Sequence, residues 1–557
     1  MGTAVAVEDP GSRAEAPQAR AGIGALPWAW IGPVLVAVIA GVLAFHRLDA
    51  PNALVWDETY YAKDGWSLLH YGVEHNWNAN RDGNPANARF LAGSPETGLA
   101  PGGEWAAHPP AGKWFIALGI AVFGSDPFGY RSAAVLAGVL SVLILARVGR
   151  RLTGSTALGC AAGLLMALDG TWLVSSRTAM LDIFLLFWIL AGFACLLVDR
   201  DKTRARLTTP KEPGATGPHP GGGTTPHAPR PDPSAPLRSA TGAGPFLRHG
   251  WRIGAAVCFG LACGTKWSGV YALGFFWLLA LIWDRNARKE AGVERPWRAM
   301  LKLDALPSLL QVWAVAATVY VLTWWGWFIS GTGAQKAIFG RSVDGFQRDW
   351  AAKHPSDLWP GFLDPVRSLW HHHAMTLDFH AGLRVPNPAQ SWPWEWPYLG
   401  KPAVMYRAEP LRGQDGCDAA RCFSQVAAIG TPTLWWTSIA ALLAVTVFAF
   451  AFRDWRAFAV VGGYLAMWLP WFPAAFDDRT MYSTYSLLML PFAVLALVLL
   501  FERLLAVLPG ERVPVFIGGL AFLGIVAVNL FYLHPLLTAE PLSESAREAR
   551  VWFSSWD

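Results

Sequence analysis

The chain has 557 residues, of which 53% are hydrophobic and only 15% charged, with 31 tryptophans and a formal net charge of +5. A soluble globular chain carries about 25% charged residues, so this composition excludes that class and points to a polytopic membrane protein built on apolar runs of roughly 20 residues. The basic residues lie in short loops between those runs, which excludes a nucleic-acid-binding stripe and reads as membrane topology.

Residues 1–27 are polar and rich in Ala, Pro and Gly, with Glu8, Asp9 and Glu15. They lack a basic stretch ahead of a cleavable apolar core, so they read as a disordered cytoplasmic tail before an uncleaved first span, 28–45. Further apolar runs occupy 131–147, 154–168, 180–198, 252–264, 267–283, 305–328, 431–452, 457–472, 481–501 and 514–532. Arg150 and Arg151, Arg200 to Arg206, Arg285 to Lys302, Arg453 and Arg456, and Arg503 and Arg512 follow alternate runs. The positive-inside rule puts them all in the cytoplasm. Residues 114–123 are apolar but half a span long. A crossing there would move every later basic loop outside, so they are expected to form a juxtamembrane helix on the outer surface. The prediction is an all-α, multi-pass cell-membrane protein with about eleven transmembrane helices, N-terminus in and C-terminus out.

This topology gives an N-terminal transmembrane part over 28–207 with an extracytoplasmic loop at 46–130. A flexible Pro/Gly-rich cytoplasmic linker follows at 208–245. Transmembrane helices fill 246–328, a second outer loop spans 329–430, and C-terminal helices with a short outer tail fill 431–557. Cys160, Cys195, Cys258 and Cys263 fall in apolar helices as small core residues. Cys417 and Cys422 lie in the second outer loop, where a local disulfide and two free thiols both fit.

Chemistry-bearing residues cluster at the outer ends of the spans. Asp57 and Glu58 directly follow the first span; on residue type they are either a base with a supporting carboxylate or a solvated loop pair. His108-Pro109-Pro110-Ala111-Gly112-Lys113 closes the same loop, with prolines that hold the chain extended. Arg131 opens the second span as either an anion ligand or a snorkelling arginine. Arg177, with Asp182 close behind, and Lys266 sit between apolar runs, where a cation requires an anion. Arg479 begins a later run. In the second outer loop His371 to His380 reads as a short surface helix. It lacks the i, i+4 histidine pair of a zinc site, so no metal is expected. His372 there is a candidate substrate ligand, and Trp392 and Trp394 form an aromatic surface for a sugar or the membrane interface. Asp57, Glu58, His108, Arg131, Arg177, Lys266, His372 and Arg479 all fall on one side of one membrane, whereas unrelated structural accidents would scatter between both faces.

The ordered set resembles the protein O-mannosyltransferase family, whose members have a GT-C membrane fold. The matching stretches are Trp56-Asp57-Glu58-Thr59-Tyr60-Tyr61, His108 to Lys113, Phe128-Gly129-Tyr130-Arg131, Ser176-Arg177 with Leu181-Asp182, Gly264 to Gly269, His372 with Met375 and Phe379-His380, Ser391-Trp392-Pro393-Trp394, and Arg479-Thr480-Met481. They run in family order over most of the chain. Two features depart from the pattern: Val385 to Gln390 stands where the family carries His-Pro-Tyr, and the β-trefoil of eukaryotic members is absent, as in the short bacterial branch.

The resemblance implies transfer of mannose from a polyprenyl phosphate carrier to Ser/Thr hydroxyls of unfolded secreted or membrane polypeptides at the secretion machinery. It implies Asp57 as the catalytic acidic residue with Glu58 beside it, and a functional Arg131. The chemistry needs a base and phosphate-binding cations, with no cofactor. Asp57 is the expected base; Arg131, Lys266, Arg177 and Arg479 are the expected phosphate ligands; His108, His372, Trp392 and Trp394 are expected to contact substrate. The rival readings are a GT-C transferase acting on a lipid or glycan acceptor, and a transporter. A transporter would place ionisable groups near mid-membrane in repeated halves, and neither feature is evident.

Overall fold

A computed structural model describes residues 26–78, 85–208, 249–414 and 416–556. All but the edges of the expected tail (1–27) and linker (208–245) lie outside the described residues. Each of the eleven apolar runs contains a helix. In chain order these and their companions are α1 (Leu26–Phe45), α2 (Glu58–Tyr71), α3 (Ala111–Phe123), α4 (Pro127–Thr153), α5 (Thr156–Ala167), α6 (Gly170–Arg177), α7 (Leu181–Thr208) and α8 (Gly250–Cys263). Then come α9 (Gly269–Glu290), α10 (Leu306–Thr323), α11 (Asp364–Gly382), α12 (Pro432–Phe452), α13 (Trp455–Trp468), α14 (Leu490–Val507) and α15 (Arg512–Leu537).

Among the described residues, seven helical stretches are long and apolar enough to cross a membrane, or eight if α5 and α6, bent by 66°, form one span. The bend has a local cause. Asp169 caps a new helix by accepting from the Trp172 amide at 3.0 Å. Its other oxygen accepts from the Thr431 amide (2.9 Å) and the Trp435 indole (2.8 Å), which ties α6 to the start of α12. The boundaries of α4 also follow local rules. Asp126 accepts from the Gly129 amide with Pro127 in the first turn, and Gly154 ends the helix at φ 72° behind Arg150 and Arg151. Small residues let α4 and α5 touch: a Cβ on Gly159 would stand 2.4 Å from the Ala146 carbonyl.

The expected juxtamembrane helix is α3, of 13 residues. The expected surface helix in the second outer loop is α11, of 19 residues. The run read as 481–501 becomes helical only at Leu490; Ser483–Leu488 form a 3-10 turn. Two small antiparallel sheets complete the fold. β1 (His75–Trp77) pairs with β2 (Leu99–Gly103), and β3 (Ala403–Ala408), β4 (Cys422–Ala428) and β5 (Leu542–Ser543) form the second. Cys417 and Cys422 are joined by a disulfide beside β4.

Candidate active site

The segment after α1 turns sharply into α2 at Trp56, a non-glycine residue at φ 53°. That left-handed conformation is unusual for a bulky side chain. Its ring packs edge-on against Tyr482, with centroids 5.1 Å apart, which holds the turn. Asp57 comes next, partly buried. Burial raises its pKa to about 6; Asp182 pushes in the same direction, while Lys266 and a hydrogen bond from Tyr61 oppose it.

Glu58 does a different job from the one expected. It is fully buried. Its carboxylate accepts from the Val55 and Ala179 amides, each at 2.8 Å, and from Arg131 Nε and Nη2, also at 2.8 Å. Arg131 donates its remaining bonds to the carbonyls of Leu48 (3.0 Å), Pro51 (3.1 Å) and Ala53 (2.8 Å). The pair therefore closes the loop onto α2, α4 and the α6–α7 turn. The guanidinium's five N–H donors are all engaged, so the geometry leaves Arg131 none for a phosphate. Arg177 is likewise turned to backbone: it donates to the carbonyls of Ala44 (2.9 Å), His46 and Arg47 (2.8 Å). It thereby satisfies the C-terminal end of α1.

Three of the remaining candidates, His108, Lys266 and Arg479, line a cavity of 710 Å³ together with, among others, Asp182, His380 and Tyr485. Lys266 Nζ lies 2.9 and 2.8 Å from the two oxygens of Asp182. Arg479 donates Nε to the His380 carbonyl at 2.8 Å and reaches the Thr480 carbonyl at 3.4 Å. Among the described residues it has no carboxylate partner. His108 and His380 stack at 5.0 Å. Burial and the nearby cations hold His108 well below its usual pKa, and burial lowers His380 as well, so both rings are neutral near pH 7. Positive charge in the cavity thus comes from Lys266 and Arg479. One rim, formed by Val270 and Tyr271 of α9 with Trp370 and Leu377 of α11, is apolar and exposed.

His372, Trp392 and Trp394 lie away from this cavity. His372 faces Trp324, with centroids 5.4 Å apart, and burial lowers its pKa to about 4. Trp392 and Trp394 stack on each other at 5.5 Å, and Trp394 meets Phe472 and Phe476 of the short helix Trp471–Phe476 that follows α13. They form an aromatic group in which Trp394 and Phe476 are exposed. Tyr61, His380 and Asp182 were named in the sequence only within longer stretches, with no role at the site. Tyr61 is one helical turn beyond Asp57, a spacing that was available as a signal. His380 shares a face of α11 with Trp370, His373 and Leu377. Asp182 stands out only once its pairing with Lys266 is known.

A dolichyl-phosphate-mannose-protein mannosyltransferase family profile matches residues 107–207. A profile for the C-terminal four-helix membrane region of protein O-mannosyltransferases matches residues 365–556. The chain is 35% identical over 542 residues to a polyprenol-phosphate-mannose–protein mannosyltransferase of Mycobacterium tuberculosis, covering 95% of this chain and 92% of the relative. A protein of the same description from Corynebacterium glutamicum is 29% identical, over 94% of this chain and 92% of its own length. In fold, the chain is similar to the S. cerevisiae protein O-mannosyltransferase Pmt1-Pmt2 complex bound to the sugar donor, with a TM-score of 0.65 at 12% identity, covering 95% of this chain and 93% of that one.

Proposed function

The chain belongs to the polyprenol-phosphate-mannose–protein mannosyltransferase family, and from that premise we propose that it transfers mannose from a polyprenyl phosphate to Ser/Thr hydroxyls of unfolded secreted polypeptides. The observation that carries this reading is the cavity itself. It joins an arginine with no carboxylate partner among the described residues to an apolar, exposed rim, and the charge of its Lys266 acts on Asp57, whose pKa is raised to about 6. A lipid phosphate needs both kinds of wall, and an acceptor hydroxyl needs the base.

In this scheme the sugar phosphate lies against Arg479 and Lys266, and the prenyl chain leaves between Val270, Tyr271, Trp370 and Leu377 into the bilayer. The acceptor oxygen attacks the anomeric carbon and its proton passes to Asp57. The bond from that carbon to the phosphate oxygen breaks, and its electron pair leaves with the phosphate. Arg479 and Lys266 stabilise the charge that develops there. The phosphate is a good leaving group, so no general acid is used. A single displacement with one base inverts the anomeric centre, by analogy with inverting glycosidases. The Cys417–Cys422 disulfide supports an extracytoplasmic site, because such bonds persist in oxidising compartments. Emerging polypeptides at the secretion machinery are the acceptors this placement serves.

Asp57→Asn tests the reading. Transfer to a Ser/Thr peptide from polyprenyl phosphate mannose is expected to fall by about 10²- to 10⁴-fold with the protein still in the membrane. Wild-type rates would refute Asp57 as the base. Mass spectrometry of secreted proteins from cells lacking the chain is expected to show lost hexose on Ser and Thr.

A further inference from the structure

Asp57 stands immediately before α2, where an aspartate ordinarily accepts a hydrogen bond from one of the first helical amides. It makes no such cap. Oδ2 accepts instead from the phenol of Tyr61, one turn on, at 3.3 Å. Tyr61 is only 6% exposed, and its ring lies 6.3 Å from that of His108, a cavity-lining residue. Burial and the adjacent carboxylate hold the phenol well above its usual pKa. It therefore stays a donor at any working pH.

We propose that Tyr61 is a positioning residue: by holding Oδ2 it reserves Oδ1 of Asp57 for the proton of the acceptor hydroxyl. This rests on Asp57 being the base. The transferred proton ends on Oδ1, the new bond joins the acceptor oxygen to the anomeric carbon, and the departing electron pair stays on the lipid phosphate. Tyr61 neither gains nor loses a proton. Its donated bond favours the ionised carboxylate, so removing it raises the pH at which Asp57 becomes basic.

Tyr61→Phe in the full-length chain removes one hydroxyl and keeps the ring. Assayed with polyprenyl phosphate mannose and a Ser/Thr peptide over a range of pH, it is expected to turn over about tenfold more slowly with an unchanged KM for donor. The acid limb of the rate profile is expected to move up by about half to one pH unit. A loss confined to packing would lower the amount of active protein and leave the limb in place; a limb coincident with wild type overturns the proposal. If turnover is too slow for a profile, the pH dependence of Asp57 labelling by a hydrophobic carbodiimide, read by peptide mass spectrometry, gives the same midpoint without activity. Asp57→Asn separates the two assignments. An active Asp57→Asn defeats both the base and its positioning. An inactive Asp57→Asn with an unmoved Tyr61→Phe midpoint defeats the positioning alone.

Discussion

Arg479 and Lys266 are both cations on the cavity wall, yet they are not equivalent. Lys266 shares its charge with Asp182 at 2.8 Å, whereas Arg479 meets only backbone carbonyls among the described residues. Charge-assisted hydrogen bonds contribute about 1.5–3 kcal/mol, so Arg479→Ala is expected to raise the KM for the lipid donor about 10- to 100-fold. Titrating donor at saturating peptide checks this. Asp57 makes a second prediction at this scale. A base is active when deprotonated, so kcat/KM is expected to rise about tenfold per pH unit below a midpoint near 6 and to level off above it. The residue types were legible in the sequence, because carboxylates and cations at the outer ends of apolar runs are expensive unless they act or pair. Which of them act was not legible. Glu58 and Arg131 meet across 73 residues and Lys266 and Asp182 across 84, so only the folded chain sorts paired charges from free ones.

The packing of α2 against α3 rests on a buried charge cluster. Lys113 Nζ lies 2.9 Å from Asp64 and 3.2 Å from Glu74. Glu104 is bound into the same corner by its amide, which donates to the Glu74 carbonyl at 3.0 Å. Burial, then repulsion from Asp64 and Glu74, raise the Glu104 pKa to about 8, against the pull of Lys113 and Lys63. Its folded pKa lies above its unfolded one, so the folded state binds the extra proton between them. Stability is therefore lost as pH rises through that interval. The melting temperature in detergent is expected to fall between about pH 5 and 8, and Glu104→Gln is expected to flatten that slope. The helices themselves were legible from apolar runs, and α3 from its short length. The start of α14 was not. Residues 481–489 carry no charge and run straight into an apolar stretch, but Ser483 accepts from the Ala403 amide at 2.8 Å and anchors a 3-10 turn instead. Periodicity cannot register a contact with a strand 80 residues away.

Across the whole molecule the polar work is divided between two ends. At the end opposite the cavity, Arg252 bridges Asp199 and Asp284 with bonds of 2.7–2.9 Å, locking α7, α8 and α9 together. At the other end the site stays open on its apolar rim, where Trp370 is 78% exposed and Leu377 58%. That opening changes what concentration means for this enzyme. A donor that enters sideways from the bilayer is met by diffusion in two dimensions, so the relevant quantity is its mole fraction among the surrounding lipids. Adding inert phospholipid to proteoliposomes, at fixed amounts of protein and donor, is expected to slow transfer in proportion to the dilution. Adding buffer is expected to leave the dependence on donor unchanged. The polypeptide acceptor, arriving from water, should show the reverse pattern, so one catalytic centre would obey two kinds of concentration at once.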